Sequence, residues 1–250
     1  MNTNNVVGGV SKPTPVELVG LYETFDDGQS KEIRRQFKDG ALHTGHVQSL
    51  IEHQNAFTVE TIDSQIIFWA GLYAVVYGMG AKADLLKLSW PEPDPTFWDV
   101  PMVKGLTESR AFNALTTWNK FPVESYYGDL DAAVVENDRH PKDSTYGVRF
   151  RAFPEADEDQ KNISANQHKV KKSPTKGITL LERQVLEAMY FLKSGGKHLD
   201  ESTFTHCIGS HFAGGYIPGA HWRGGFCIGS GYLLRDASSR LRTRVAVLTF

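Results

Sequence analysis

The chain of 250 residues is poor in cysteine, with only Cys207 and Cys227. Two cysteines cannot build the disulfide framework that stabilises many small secreted domains. The fold must therefore depend on an apolar core, and a chain of this length can bury one as a single large domain or as two small ones. Hydrophobic content of 40% and charged content of 22% are typical of globular proteins.

Long apolar runs are also absent. The most apolar stretch, residues 66–80, is interrupted by glycines and is short for a membrane span, so we interpret it as buried core, either helix or strand. The first 15 residues lack the basic start and apolar run of a signal peptide. We therefore expect no membrane span and, by default, a cytoplasmic location. A formal net charge of −2 argues against a chain built mainly for nucleic acid or anionic membranes.

The third absence concerns the last 46 residues, 205–250, which contain no Lys, Glu, Gln or Met, whereas the preceding 204 residues contain 41 of these. Asn is missing as well, and all five basic residues of this tail are arginines. Strands and turns are depleted in Lys, Glu and Gln, which explains part of the deficit but not a complete absence. Codons ending in C (NNC codons) encode every residue type of the tail except Trp222. The tail therefore has the composition that NNC codons would give.

Upstream of the tail, sequence patterns predict a division into two parts. A helix is expected near residues 46–54, and the four prolines within residues 90–101 predict an extended connector. We place a boundary there, between an N-terminal region of unknown role (1–95) and a second part (96–250).

Within the second part, apolar residues at helical spacing predict a short helix over Thr107–Trp118, and residues 146–153 are typical of a strand. Residues 155–177 are charged and nearly free of large apolar side chains, which predicts a mobile loop.

The clearest helix begins at Thr179, which forms a T-x-x-E capping box with Glu182. Leu181, Val185 and Met189 then share one apolar face, and Gly195 is a stop signal. This helix should pack against another element.

Strand and turn signals dominate the tail. Gly224-Gly225 is typical of a hairpin turn, and residues 241–248 resemble a final strand. We expect Val245 and Val247 of that strand to face the core, with Arg242 and Arg244 on the opposite side. The tail is thus predicted to form a small antiparallel sheet, and the chain to be an α+β protein.

Four motifs in and before the tail carry a resemblance to a known family. They are Gly196-Lys197-His198-Leu199, Thr203-Phe204-Thr205, Arg223-Gly224-Gly225 and Leu241-Arg242-Thr243-Arg244-Val245. In this order they resemble the C-terminal half of the C-type lectin fold of variable proteins from diversity-generating retroelements. The resemblance covers roughly the last 75 residues. In that family, adenine-directed mutagenesis randomises AAC codons near the 3′ end of the gene, and AAC can become any NNC codon.

The resemblance implies a C-type lectin-like domain over 96–250 with a diversified surface at 205–250. Its function would be non-enzymatic binding of a ligand, expected to be a protein or other macromolecule, without a cofactor or metal. We expect Tyr232, Leu233, Leu234 and Arg235 to face solvent, and Trp222 to be partly buried scaffold. The full set of candidate ligand-binding residues is His211, Phe212, Tyr216, His221, Trp222, Phe226, Ile228, Ser230, Tyr232, Leu233, Leu234, Arg235 and Asp236.

Three alternatives use the same region. The tail holds zinc-ligand residue types at His206, Cys207, His211, His221 and Cys227, although neighbouring residues of a strand point to opposite faces. The lectin-like fold also serves formylglycine-generating oxidases, which rely on a cysteine pair. Finally, the Arg-Gly-Gly motif and the terminal arginines could bind nucleic acid, although the chain shows no wide basic face.

Overall fold

The computed structural model describes residues 61–119, 122–170 and 176–250. The helix predicted near residues 46–54 lies outside them. The described architecture is α+β, as predicted. Its helices are α1 (Ile62–Leu72), α2 (Lys82–Leu85), α3 (Glu108–Asn119), α4 (Leu130–Ala133), α5 (Ala165–Val170) and α6 (Leu180–Lys193). Its strands are β1 (Phe97–Met102), β2 (Val123–Ser125), β3 (Val134–Asn137), β4 (Tyr146–Arg151), β5 (Phe204–His206), β6 (Ser210–Phe212), β7 (Ile217–Trp222), β8 (Phe226–Tyr232), β9 (Leu241–Arg242) and β10 (Leu248–Thr249).

The apolar run at residues 66–80 is helical as far as Tyr77, and most of this helical part is buried. Helix α1 begins at a capping box on Thr61 and continues into a π-helical turn, Tyr73–Tyr77, which ends at Gly78 in the left-handed conformation. The buried hydroxyl of Tyr73 donates to the carbonyl oxygen of Pro101 at 2.7 Å. The described part of region 1–95 therefore shares one apolar core with the rest of the described chain. Among the described helices, none has the length and apolar content needed to cross a membrane.

Three other predicted elements are found with shifted ends. The connector at residues 90–101 lacks regular structure only at its start, because β1 begins at Phe97. The helix predicted over Thr107–Trp118 is α3, and the strand predicted at 146–153 is β4.

The strands form three sheets, ordered β1-β4-β10, β2-β8-β7-β5-β9 and β3-β6. The predicted hairpin is confirmed, since β7 and β8 pair antiparallel around Gly224. The prediction of an antiparallel tail sheet is wrong, because the sheet is mixed. Strands β2 and β9 enter its two edges from long connections and pair parallel with β8 and β5, and parallel pairs need such connections.

Helix α6 has the predicted capping box between Thr179 and Glu182. Its apolar face is buried as expected, but its polar face is buried too: Arg183 and Glu187 are both completely inaccessible to solvent. Buried charges are tolerated only when they are paired, so this helix must bring its own ion pairs into the core.

The final strand predicted over residues 241–248 is wrong. Two separate two-residue strands, β9 and β10, join different sheets. Val245 is buried and Val247 is half-buried, but Arg244 is also buried and points inward. Its inward orientation has an electrostatic cause, because its guanidinium reaches the carboxylate of Asp200 at 2.7 Å.

Candidate functional site

A buried ion network lies beneath the tail. Asp200 is fully buried and sits at φ +57°, a left-handed conformation that Asp tolerates better than most residues. Its Oδ2 accepts from Nε of Arg183 at 2.9 Å, and its Oδ1 accepts from Nη2 of Arg244 at 2.7 Å. Burial acts to raise the pKa of Asp200, but the charges of Arg244 and Arg183 outweigh it and the pKa is lowered. The carboxylate is therefore ionised between two guanidinium groups.

Neighbouring groups complete this network. Arg183 Nη1 donates to Glu187 at 2.7 Å, the hydroxyl of Thr205 donates to Asp200 at 2.5 Å, and Arg244 Nη1 donates to the carbonyl of Phe153 at 2.7 Å. The network thus joins helix α6, strand β5, the segment after β4 and the end of the tail. The ion network thereby attaches the end of the tail to helix α6 and to the segment after β4.

Four of the predicted ligand-binding residues are not accessible at the surface. His211, Phe212, Phe226 and Ile228 are all buried, and the last three belong to the main core. Phe226 lies under the guanidinium of Arg183, and the ring of Phe212 lies 4.4 Å from that of Tyr127. Phe212, Phe226 and Ile228 belong to the scaffold, because their side chains pack in the core, and His211 is buried as well.

The other candidates are partly or fully accessible. Tyr216 and Arg235 are exposed, whereas His221, Trp222, Tyr232, Leu233, Leu234 and Asp236 are half-buried; the side chain of Ser230 lies outside the described part of the chain. Trp222 stacks on His198, and its backbone N–H donates to the carbonyl oxygen of Asp200; its side chain is partly buried, as predicted.

Residues 157–166, which we call the strap, run antiparallel to residues 234–243 of the tail, which we call the tail loop. The backbone N–H groups of Asp157, Asn162 and Asn166 donate to the carbonyl oxygens of tail residues Thr243, Ser238 and Leu234 at 3.2, 2.9 and 3.0 Å. Asn166 lies in the first turn of α5, where backbone N–H groups have no partner within the helix. The strap therefore holds the tail loop through main-chain atoms.

Side chains of the strap add two further attachments. Asp157 Oδ2 accepts from the N–H of Val245 at 2.9 Å, and Glu158 forms an ion pair with Arg242. The described part of the segment 155–177, for which a mobile loop is expected, thus contains short helices and is hydrogen-bonded to the tail. Its anchors are backbone groups and carboxylates, which a search for large apolar residues does not detect.

A small apolar cluster lies under the strap. Ala165 of α5, Ile208 and Ile217 are buried together, and Tyr232 and Leu234 pack against them. The prediction that Tyr232, Leu233, Leu234 and Arg235 face solvent is therefore right only for Arg235, because the other three are half-buried. Burying Tyr232 and Leu234 beneath the strap removes apolar surface from water.

Two exposed segments of the tail form the candidate surface. Because Ile217 pairs with Tyr232, the turn that precedes β7 and the loop that follows β8 lie at the same end of the hairpin. Every residue of the turn 213–216 is exposed, and so is every residue of 235–240 except the half-buried Asp236. We call these two segments the display surface.

The zinc-ligand residue types of the tail do not converge. Among the described residues, no three His, Cys, Asp or Glu side chains come together in a group that could hold a metal ion. Burial raises the pKa of the Cys207 thiol, and burial together with Glu124 raises that of Cys227. Reactive cysteines need a lowered pKa, so neither thiol has the environment of a nucleophile.

The buried ring of His206 makes the stability of the protein depend on pH. Its ring is buried, and its Nε2 has no hydrogen-bond partner among the described residues. Burial lowers the pKa of His206 to about 4; Asp236 opposes this effect, while His168 and His211 add to it. A histidine in the unfolded chain has a pKa near about 6.5. The unfolded state therefore binds the proton first, and stability is lost as the pH falls from about 6.5 towards 4.

We therefore expect the free energy of unfolding to fall between pH 7 and pH 4.5, and to fall less in a His206→Asn variant. Urea denaturation at several pH values measures both slopes. Comparing slopes removes any constant cost of the substitution itself. Equal slopes would contradict a neutral, buried His206.

The buried ion network and the strap were not predicted from the sequence. Arg183 and Glu187 stand four residues apart on a predicted helix. This spacing favours an ion pair and could have indicated the buried ion network. The strap left no such signal, since it binds mainly through its backbone. Comparisons with protein-family models, with curated proteins and with solved structures find no match to this chain.

Proposed function

We propose that this chain is a non-enzymatic ligand-binding protein that displays a hypervariable surface on a C-type lectin-like scaffold, as do variable proteins of diversity-generating retroelements. The observation that carries the proposal is the way the tail loop is held. Strap N–H groups bind tail carbonyls at residues 234, 238 and 243, and a carbonyl is present whatever the side chain. Such anchoring allows side chains to vary while the loop keeps its position.

Composition supports the same proposal. The display surface lies within the tail that lacks Lys, Glu, Gln and Met, whereas the strap that holds it contains Lys, Glu and Gln. A process that writes NNC codons would therefore change the display surface and leave its support unchanged. The α+β architecture, with the tail hairpin beside α6 and long irregular connections, is compatible with a C-type lectin-like fold.

A protein or other macromolecule is the ligand class that this surface fits. Tyr216 and Arg235 are exposed on it, and tyrosine and arginine are common anchors in protein interfaces. The surface consists of exposed residues on two loops, whereas small-molecule sites bury most of the ligand in a cleft, and this favours a broad partner.

Two libraries, one of exposed and one of buried positions, test the proposal. In the first, Tyr216, Arg235, Ala237 and Ser239 are replaced through NNC codons; in the second, Phe212, Phe226 and Ile228 are. We expect most members of the first library to stay folded, because exposed substitutions usually change stability by less than about 0.5 kcal/mol. Most members of the second should unfold. Protease resistance of the displayed proteins measures the difference.

Binding is then selected from the first library against a purified protein such as lysozyme. We expect target-specific variants whose replacements lie at the four randomised positions. If both libraries unfold equally, or if the folded library never yields a specific binder, the display function is contradicted.

A further inference from the structure

The two most exposed large hydrophobic side chains among the described residues lie outside the tail. Tyr126 is 81% exposed and Val135 is 62% exposed. Apolar groups exposed to this extent serve in contacts with other molecules more often when they adjoin one another than when they are scattered.

Tyr126 and Val135 each stand next in the sequence to a residue that packs or pairs with Phe212, whose ring is buried. Tyr127, next to Tyr126, places its ring 4.4 Å from that of Phe212. Val134 is the direct partner of Phe212 in the β3–β6 pair, and Val135 falls at the irregularity that follows it. Tyr126 and Val135 are thus each one residue, or about 3.8 Å along the chain, from a neighbour of Phe212.

The segment that carries both residues contains charge of one sign. Residues 122–138 contain no Lys or Arg, and they contain five carboxylates, all on exposed residues: Glu124, Asp129, Asp131, Glu136 and Asp138. Asp129 and Asp131 accept hydrogen bonds from hydroxyl and N–H groups of Thr107 and Ser109, which are neutral donors. Their charges are therefore not cancelled by these contacts.

The nearest arginine in the sequence does not neutralise the region either. Arg139 directs its guanidinium inward, where Nε and Nη2 donate to the two carboxylate oxygens of Glu182 at 2.8 Å each. That guanidinium is committed to the cap of helix α6. The surface thus combines an exposed aromatic ring, an exposed aliphatic side chain and an acidic rim.

We propose that this acidic-aromatic patch, centred on Tyr126 and Val135, docks an arginine- and lysine-rich segment of another protein. Charge complementarity identifies the partner: cationic heads would bind the carboxylates, and guanidinium planes or aliphatic stems would lie on the tyrosine ring. The patch belongs to the part of the chain that contains Lys, Glu and Gln, so it would be a constant docking surface that complements the variable one. The proposal does not depend on the display function.

The test is fluorescence anisotropy with a fluorescein-labelled peptide of alternating arginine and glycine, and with a glutamate–glycine peptide of equal length. The double variant Tyr126→Ser, Val135→Ser removes the apolar centre and keeps the charges. The triple variant Glu124→Gln, Glu136→Gln, Asp138→Asn removes charge and keeps the centre. The control, Glu92→Gln, Asp143→Asn, Glu201→Gln, removes the same charge from exposed residues elsewhere.

We expect the arginine peptide to bind the native protein, the glutamate peptide to fail, and the two patch variants each to lose about fivefold or more in affinity. The charge control and a Tyr216→Ser, Arg235→Ser variant on the display surface should change affinity less than twofold. An equal loss in the charge control would show binding to net charge only and would overturn the proposal. So would an unchanged affinity in the Tyr126→Ser, Val135→Ser variant, or a dimer in sedimentation that this variant abolishes.

Discussion

Replacing Asp200 with Asn is expected to lower the free energy of unfolding by about 3–5 kcal/mol, because it leaves Arg244 without a carboxylate partner in the core and leaves Arg183 with Glu187 alone. Both guanidinium groups bind this one carboxylate, at 2.9 and 2.7 Å. Asparagine has nearly the same volume and also tolerates the left-handed backbone found at this position. The substitution therefore tests the charge rather than the shape, and urea denaturation at pH 7 measures the loss.

The neighbouring residue provides the control. Glu201 is exposed, so Glu201→Gln removes the same charge one position along the chain and should change stability by less than about 0.5 kcal/mol. If Asp200→Asn proves as stable as the native protein, the ion network does not hold the tail as described.

The second large effect is expected at Phe212. Its ring is fully buried against Tyr127, so Phe212→Ala should cost about 3–5 kcal/mol through lost apolar burial and the cavity left behind. Thermal unfolding followed by circular dichroism, together with urea titration, measures this loss.

Tyr216 is the matched control, since it is an aromatic residue four positions away and is 40% exposed. Tyr216→Ala should change stability by less than about 0.5 kcal/mol. Similar losses for the two variants would mean that the boundary between scaffold and display surface is drawn in the wrong place.

Local signals predicted the fold best. The capping box at Thr179 and the two glycines at 224–225 each specify structure through neighbours in the sequence, and both α6 and the β7–β8 hairpin form where expected. The inward orientation of Arg244 could not be read in this way, because its partner Asp200 lies 44 residues away. An arginine in an alternating strand pattern looks the same whether it meets solvent or a buried carboxylate.

The candidate site was predicted as a region but not residue by residue. Composition marked residues 205–250 without indicating which side of each strand faces the core, so Phe212, Phe226 and Ile228 were grouped with Tyr216. The strap was missed for a different reason. Its hydrogen bonds use N–H groups that nearly every residue type possesses, and such contacts leave no trace in the amino-acid sequence.

The direction of the hydrogen bonds between strap and tail determines where proline could be accepted. At residues 234, 238 and 243 the tail supplies only the acceptor and the strap supplies the donor. Proline lacks an N–H group but keeps its carbonyl oxygen, and CCC, a proline codon, is among the NNC codons. As far as hydrogen bonding is concerned, proline at Leu234 or Ser238 would keep the strap attached, whereas proline at Asn162 would remove a donor. Val245 is the exception within the tail, because it donates its own N–H to Asp157.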